Sequence, residues 1–220
     1  MTETSEQQSL APAWRMVAAL FAIYVFSWLD RLAVSMMVSP IKADMGLSDT
    51  QMSLILGPSF AIAYAVFGVP LGWAADRFSR RLVIFCGVLV WALATIACGF
   101  ATTFAELLAG RIVVGIGEAA LLPAAYSLIG DAFPSNKVTV ATSVFQSAGK
   151  TGSAVSFGLG GLALAFAATL THIDWPVHGP ASAWQITFAL VGLPGLALAF
   201  LAWSFPEPGR KRVAGAERSK

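Results

Sequence analysis

The chain has 220 residues, of which 57% are hydrophobic and 12% are charged, against about 25% charged residues in an ordinary soluble domain. Its mean hydropathy of +0.72 excludes both a soluble globular protein of this length and an intrinsically disordered chain. Fourteen Lys and Arg residues stand against twelve Asp and Glu residues, and no basic stripe interrupts the apolar runs, which excludes a nucleic-acid-binding protein. We therefore expect a polytopic membrane protein.

Six apolar runs follow one another along the chain. A membrane-spanning helix needs about 20 mainly apolar residues, because lipid offers no hydrogen-bond partners to the backbone. The sequence therefore predicts an all-α membrane protein with six transmembrane helices. The predicted spans are Trp14–Val38, Met52–Ala75, Leu82–Ala101, Leu107–Ile129, Val138–Leu170 and Trp184–Phe205. The fifth is longer than one crossing needs, so we expect it to tilt or to end before Thr171.

The polar segments define the domain organisation. Residues 1–13 are polar and acidic and are predicted to be a disordered cytoplasmic N-terminus, with no pattern of a signal peptide. Residues 14–205 form the six-helix bundle, and residues 206–220 form a basic cytoplasmic tail. His172 and His178 fall in an extramembrane loop between the last two spans, where we interpret them as ordinary loop residues.

Basic residues are distributed asymmetrically between the two sides of the predicted membrane. One side of the membrane holds a single basic residue in its predicted loops, Lys42. The opposite side holds ten: Arg15, Arg77, Arg80, Arg81, Lys137, Arg210, Lys211, Arg212, Arg218 and Lys220. Because positively charged loops stay in the cytoplasm, both termini are predicted to be cytoplasmic, in a multi-pass protein of the cell (inner) membrane.

Five ionisable residues lie inside the apolar runs: Asp30, Arg31, Arg111, Glu118 and Lys150. A charged residue at the centre of a membrane helix costs about 2.5–3.5 kcal/mol on insertion scales, so each of these needs a reason. One interpretation is a set of internal ion pairs that only fixes the packing of the helices. The other is a functional polar centre, which we favour because five such groups are more than packing requires.

The spacing of these residues predicts how they meet. Arg111 and Glu118 are seven residues apart, so they lie on one helix face about 10.5 Å apart. Asp30 and Arg111 fall at similar depth near the outer ends of their helices, whereas Glu118 and Lys150 fall nearer the midplane. Lys150 is a candidate competitor for Glu118. A partly desolvated carboxylate beside a movable cation meets the requirement for proton coupling.

No sequence feature predicts an enzyme, a metal or a cofactor. Residues 115–120 fit a dinucleotide-binding glycine pattern, but no strand precedes them and they lie inside an apolar span. No His, Cys, Asp and Glu cluster has ligand spacing. Cys86 and Cys98 lie about 18 Å apart along one predicted helix, which excludes a disulfide scaffold.

The loop between the second and third spans carries a specific motif. Residues 72–81 read GWAADRFSRR, which resembles the loop signature G-x-x-x-D-R-x-G-R-R of the major facilitator superfamily, with Ser79 in place of the second glycine. The matching gating-loop residues are Gly72, Asp76, Arg77, Arg80 and Arg81. A carboxylate at a helix end beside arginines can latch neighbouring helix ends by charge-assisted hydrogen bonds. The alternative is that the arginines only set the topology.

Within that superfamily the chain resembles the spinster-like lipid transporters. The resemblance rests on residues 28–31 (WLDR), on residues 110–119 (GRIVVGIGEA), on Pro123 and on residues 131–134 (DAFP), where Asp131 marks the exit of the fourth helix. It implies that Asp30 and Glu118 take part in proton coupling, with Arg31 and Arg111 as their switching partners. It also implies lysophospholipids, sphingoid phosphates or other organic anions as substrates.

The superfamily fold has twelve helices in two halves, so six helices correspond to the N-terminal half. We expect half of a secondary active transporter, which exports or imports a small organic anion or lysolipid-like amphiphile with protons. Its expected partners are membrane lipid and a second six-helix half, either a separate chain or a second copy. The alternative is a truncated or non-transporting half that is inert or regulates a full-length relative.

The topology can be tested by cysteine labelling from outside intact cells, in a variant whose two native cysteines are replaced. A membrane-impermeant thiol reagent is expected to label Val177→Cys but not Ser79→Cys, because the basic residues place Ser79 in the cytoplasm. Labelling of Ser79→Cys in intact cells would overturn the predicted orientation.

Overall fold

The computed structural model describes residues 10–171, 174–175 and 179–211. In this part of the chain the helices are α1 (Ala11–Met36), α2 (Val38–Met45), α3 (Asp49–Leu56), α4 (Pro58–Arg77), α5 (Arg80–Cys98), α6 (Phe104–Glu118), α7 (Leu121–Ala132), α8 (Ser135–Thr169), α9 (Ala183–Ala199) and a closing 3-10 helix (Phe200–Trp203). The predictions for residues 1–9, His172, Val177, His178 and residues 212–220 lie outside the described residues.

Six helical segments are long and apolar enough to cross a membrane, which confirms the predicted all-α fold with six spans. The spans are Ala11–Met36, Asp49–Arg77, Arg80–Cys98, Phe104–Ala132, Ser135–Thr169 and Ala183–Trp203. The fifth ends at Thr169, as its length suggested. Between the fifth and sixth spans, β1 (Asp174–Trp175) and β2 (Gly179–Pro180) pair antiparallel, with Asp174 opposite Pro180.

Side chains define where several helices begin. Ser48 and Thr103 precede α3 and α6, and each hydroxyl accepts a hydrogen bond from the backbone N–H three residues later. The side chains of Gln51 and Glu106 accept from the backbone of these capping residues in return. Such reciprocal bonds satisfy N–H groups that the first helical turn leaves without partners.

The fourth span is interrupted between Glu118 and Leu121. Residues 119–120 form a turn that separates α6 from α7. Pro123 lies four positions after Ala119, and proline cannot donate the hydrogen bond that would continue the helix through that carbonyl. The interruption therefore places Glu118 at the carboxyl end of α6, in the middle of the span.

Two apolar clusters make up most of the core, and polar residues lie where one gives way to the other. On α5 the first cluster extends to Ala94 and the second includes Cys98, with buried Thr95 between them. On the fourth span, Leu107 belongs to the second cluster and Val114 to the first, and buried Arg111 lies between them. The packing thus encloses a polar layer within the bundle.

Two glycines bring α5 and α6 into backbone contact. A Cβ atom added at Gly117 would lie 2.6 Å from the Trp91 backbone nitrogen and 2.7 Å from the Gly87 carbonyl oxygen. Such close approach is how helices associate in lipid, where apolar burial by itself gives no driving force. The contact holds α6 against α5 one residue before Glu118.

We expect Gly117→Ala to lower the free energy of unfolding by about 1–3 kcal/mol, because the added methyl group overpacks the contact between α5 and α6. Gly130→Ala is the matched control, since a Cβ atom at Gly130 in the same span meets nothing within 4 Å. Thermal unfolding in detergent micelles measures both effects. Equal stability of the two variants would show that the close contact between α5 and α6 does not contribute to the stability of the bundle.

Candidate functional site

A buried ion pair joins α1 to α6 at the centre of the bundle. Arg31 contacts Glu118 through Nε and Nη2, each 2.5 Å from Oε2, and the Glu118 side chain is completely buried. Ser27 donates a hydrogen bond of 2.8 Å from its hydroxyl to the same oxygen. The structure therefore brings together two of the residues that the sequence analysis singled out, from positions 87 residues apart.

A second buried pair lies on the same two helices. Arg111 Nη1 is 3.6 Å from Asp30 Oδ2, which is an ion-pair distance but too long for a hydrogen bond. Thr95 on α5 donates a 2.8 Å hydrogen bond to the other oxygen of Asp30. The expectation that Asp30 and Arg111 meet at similar depth agrees with this geometry. Thr95 was missed, because a single threonine in an apolar run carries no distinctive signal.

Aromatic rings surround the two guanidinium groups. The Arg31 Cζ atom lies 4.7 Å from the centre of the Phe60 ring, 5.1 Å from that of Tyr64 and 5.5 Å from that of Trp28. Arg111 lies 5.7 Å from the centre of Phe60. These cation–π contacts add α4 to the site and give each arginine a favourable position that does not depend on a carboxylate.

Several polar atoms of this central site have no hydrogen-bond partner among the described residues. They are Asp30 Oδ2, Glu118 Oε1, Trp28 Nε1 and the Nε and Nη1 atoms of Arg111. Buried polar groups are normally paired, because each unmet hydrogen bond costs about 1–3 kcal/mol. The site therefore holds charged groups with unused hydrogen-bonding capacity, which is an arrangement suited to a change of partners.

Lys150 does not join this charge network. Its side chain is exposed and forms no ion pair among the described residues, while Glu118 is paired with Arg31. The expected competition of Lys150 for Glu118 is therefore not seen. The reason lies in helix geometry, because Ala148 and Gly152 of α8 are buried and Lys150 lies between them, on another side of the helix. Lys150 instead lines a separate pocket between α1 and α8.

A second polar cluster ties helix ends together around Arg80, whose side chain is 1% exposed. Its Nη1 atom donates to the Ser127 hydroxyl at 3.1 Å and contacts the Asp131 carboxylate, and its Nε atom lies 3.1 Å from Glu207 Oε1. Its Nη2 atom donates to the Pro208 carbonyl at 2.6 Å. One guanidinium group thus joins α5, α7 and the segment that follows the last span.

The other residues of the loop motif lie apart from this cluster. Asp76 is exposed and forms no ion pair in the described part of the chain, so the carboxylates that latch the helix ends are those of Asp131 and Glu207. Arg77 stacks on Trp73 at 4.7 Å, and Arg81 donates to the Ala202 and Trp203 carbonyls. Gly72 faces Pro123, 3.7 Å from the Cβ position.

The predicted tail is partly folded onto the bundle. Arg210 donates to the Ala75 and Phe78 carbonyls, and the Lys211 backbone N–H donates to Asp131. Residues 206–211 are therefore docked against the ends of α4 and α7 and do not extend freely. Composition identified their charge but carried no information about these carbonyl acceptors.

Hydrogen bonds determine the ionisation of Glu207. Partial burial opposes ionisation, but donors from Ser79 and from the backbone and guanidinium of Arg80, together with the Arg80 charge, hold the pKa of this carboxyl below its usual value. Stability from this carboxylate is therefore present above the pKa of the unfolded chain, and it is lost as the pH falls through the lowered folded-state pKa.

We expect Glu207→Gln to lower the free energy of unfolding by about 1.5 kcal/mol at neutral pH, because charge-assisted hydrogen bonds are lost. The free energy of unfolding of this variant is also expected to fall less between neutral and acidic pH than that of the wild-type protein. Asp76→Asn, four positions before Arg80, is the matched control and is expected to change stability little. Thermal unfolding between neutral and acidic pH measures both variants. A larger effect of Asp76→Asn than of Glu207→Gln would contradict this assignment of the latch.

Comparison with known proteins agrees with this architecture. The sequence pattern of the Major Facilitator Superfamily matches residues 20–220. The chain is 32% identical over 191 residues to the hexuronate transporter of Bacillus subtilis, covering 86% of this chain and 41% of that protein. It is also 32% identical over 141 residues to a sphingosine-1-phosphate transporter of Danio rerio, covering 63% of this chain and 28% of that protein.

A solved structure also places the chain among the relatives of this family. The crystal structure of a bacterial homologue of the human lysosomal transporter Spinster, in an inward-facing and unoccupied conformation, superposes with a TM-score of 0.81 and 31% identity. The match covers 94% of this chain and 47% of that one, so the chain spans less than half the length of the relatives that it matches. The chain belongs to the major facilitator superfamily, as the N-terminal six-helix half of that multi-pass transporter fold with spinster-like features, and not to an enzyme family.

Proposed function

We propose that the chain is the N-terminal half of a proton-coupled secondary transporter for an organic anion or an anionic amphiphile. The proposed location is the cell (inner) membrane, with both termini in the cytoplasm. The observation that carries the proposal is the double ion pair between α1 and α6, in which Arg31 contacts Glu118 and Arg111 contacts Asp30.

Protonation would act directly on these pairs. A proton on Glu118 removes the charge that holds Arg31, and a proton on Asp30 does the same for Arg111. The released guanidinium group then needs a new partner, which changes the relative free energies of the helix arrangements. The aromatic rings near Arg31 and the unpartnered atoms of Arg111 support such a rearrangement, because they leave alternatives to the present contacts.

The two arginines and the two carboxylates of the site balance in charge, so an anionic substrate would pair with Arg31 once a proton on Glu118 releases it. Arg31 is 22% exposed, so it is accessible from the side of the bundle that carries Trp28, Phe60 and Tyr64. A positive charge among aromatic rings suits a carboxylate or phosphate attached to a larger group. Hexuronate and sphingosine-1-phosphate, named for the two relatives, are both organic anions, one a sugar acid and one an amphiphile.

The surface of the bundle supports a requirement for a second half. The spans containing α4 and α8 are the least buried of the six, at 11% and 22% of their most apolar windows. Large apolar side chains on these helices are more than half exposed, including Ile62, Val69, Phe157 and Leu162. A second six-helix bundle, from another chain or a second copy, would cover part of this surface and supply the other wall of a substrate cavity.

The coupling role can be tested in proteoliposomes that contain the chain with a second half. The second half is supplied first by a second copy, and then by the C-terminal half of the Bacillus subtilis hexuronate transporter. Uptake of labelled glucuronate or sphingosine-1-phosphate is measured with and without an imposed pH gradient. Glu118→Gln is expected to reduce pH-driven accumulation more than tenfold while exchange of substrate persists, because the proton-binding group is lost. Asp30→Asn is expected to do the same or to shift the pH dependence.

Glu106→Gln is the matched control, since Glu106 is an exposed acid of α6 whose capping role a glutamine can retain. A normal pH response in both Glu118→Gln and Asp30→Asn would show that these acids are structural ion pairs. Absence of uptake by the wild-type protein with every second half would favour an inert or regulatory half.

A further inference from the structure

A pocket of about 250 Å³ lies between α1 and α8, beside the central site, with which it shares Trp28. Its lining consists of Tyr24, Trp28, Gln146, Gly149, Lys150 and Ser153. One of these residues is charged, and that charge is positive. The lining therefore offers a cation, an indole, an amide and two hydroxyl groups to whatever occupies the space.

Lys150 brings a positive charge into a predominantly apolar helix without a carboxylate to match it. Asp30, Arg31, Arg111 and Glu118 are paired with one another, whereas Lys150 forms no ion pair among the described residues. A lysine in the middle of a membrane span costs about 2.5–3.5 kcal/mol on insertion scales and is expected to face protein or a water-filled cavity. Lys150 is exposed and lines this pocket, so its charge is available to a ligand.

Trp28 contributes a second unused group. Its indole Nε1 atom is buried and has no acceptor among the described residues. A Cβ atom at Gly149 would lie 3.2 Å from that nitrogen and 3.7 Å from the Tyr24 hydroxyl oxygen. The absence of a side chain at Gly149 therefore lets the α8 backbone approach the indole N–H closely, next to Lys150 in the sequence and in the pocket.

We propose that this pocket binds the anionic group of the transported substrate, with the Lys150 ammonium neutralising its charge and the Trp28 indole donating a hydrogen bond. Gln146 and Ser153 lie four residues before and three after Lys150, on the same helix face. The Gln146 amide already donates to the Tyr126 hydroxyl, and the Ser153 hydroxyl supplies a further donor. This inference rests on the proposed transport of an organic anion and assigns the residues that recognise it. Trp28 also lies against Arg31, so an occupied pocket adjoins the Arg31–Glu118 pair.

Equilibrium binding to the purified chain in nanodiscs tests the proposal without requiring transport. The probes are labelled glucuronate, labelled sphingosine-1-phosphate and neutral glucose, so that the two anion sources are compared separately. For the anion that binds, Lys150→Gln is expected to weaken binding at least tenfold, whereas Lys150→Arg retains most of the affinity because it keeps the charge. Binding of glucose is expected to be weak and to change little in either variant.

The glycine supplies an independent arm of the test. Gly149→Ala is expected to weaken anion binding several-fold by filling the space before the indole nitrogen. Gly158→Ala is the matched control on the same helix, since a Cβ atom there meets nothing within 4 Å. Thermal unfolding of each variant establishes that the fold is retained.

The outcomes separate this proposal from the transport proposal. Unchanged anion affinity in Lys150→Gln, or no binding of either anion by the wild-type chain, overturns the assignment of the pocket. Lys150-dependent binding without pH-driven transport supports the pocket and contradicts the proposed coupling. Proton-driven transport together with anion binding that does not depend on Lys150 supports the proposed coupling and contradicts the assignment of the pocket.

Discussion

The centre of this protein depends on keeping two carboxylates and two guanidinium groups inside an apolar bundle. Removing charges from water is costly, and a single unpaired buried charge costs far more than the pair does. Arg31 with Glu118 and Arg111 with Asp30 meet this constraint by pairing across α1 and α6. Ser27 and Thr95 then donate hydrogen bonds to the Glu118 and Asp30 carboxylates, which satisfies part of the hydrogen-bonding capacity that the ion pairs leave unused. The positions of α1, α5 and α6 are therefore coupled to the charge state of four side chains.

Packing gives these charges their positions. The turn before Pro123 ends α6 at Glu118, so the carboxylate lies at a break in the span. Gly87 and Gly117 let α5 and α6 touch through their backbones, which leaves little freedom for α6 to move by itself. A change of partner at Glu118 would therefore be expected to move packed helices together, which is the behaviour that a coupled transporter needs.

The helix ends around Arg80 form a second, separate polar unit. Arg80 is buried yet surrounded by acceptors from Ser127, Asp131, Glu207 and Pro208, so its charge is compensated locally. This cluster connects α5, α7 and the segment after the last span. The bundle thus combines a tightly bonded set of helix ends with a central site whose hydrogen bonds among the described residues are incomplete.

Hydropathy and composition were sufficient to assign the class of the protein and its spans, because about 20 apolar residues and the obligatory pairing of backbone groups leave few alternatives in lipid. The sequence also identified Asp30, Arg31, Arg111 and Glu118, since charges stand out in apolar helices. The folded structure was needed to establish which charges pair, that Lys150 lies outside the network, and that Glu207 completes the latch in place of Asp76. These outcomes depend on the rotation and close approach of helices distant in sequence, which hydropathy and charge patterns do not encode.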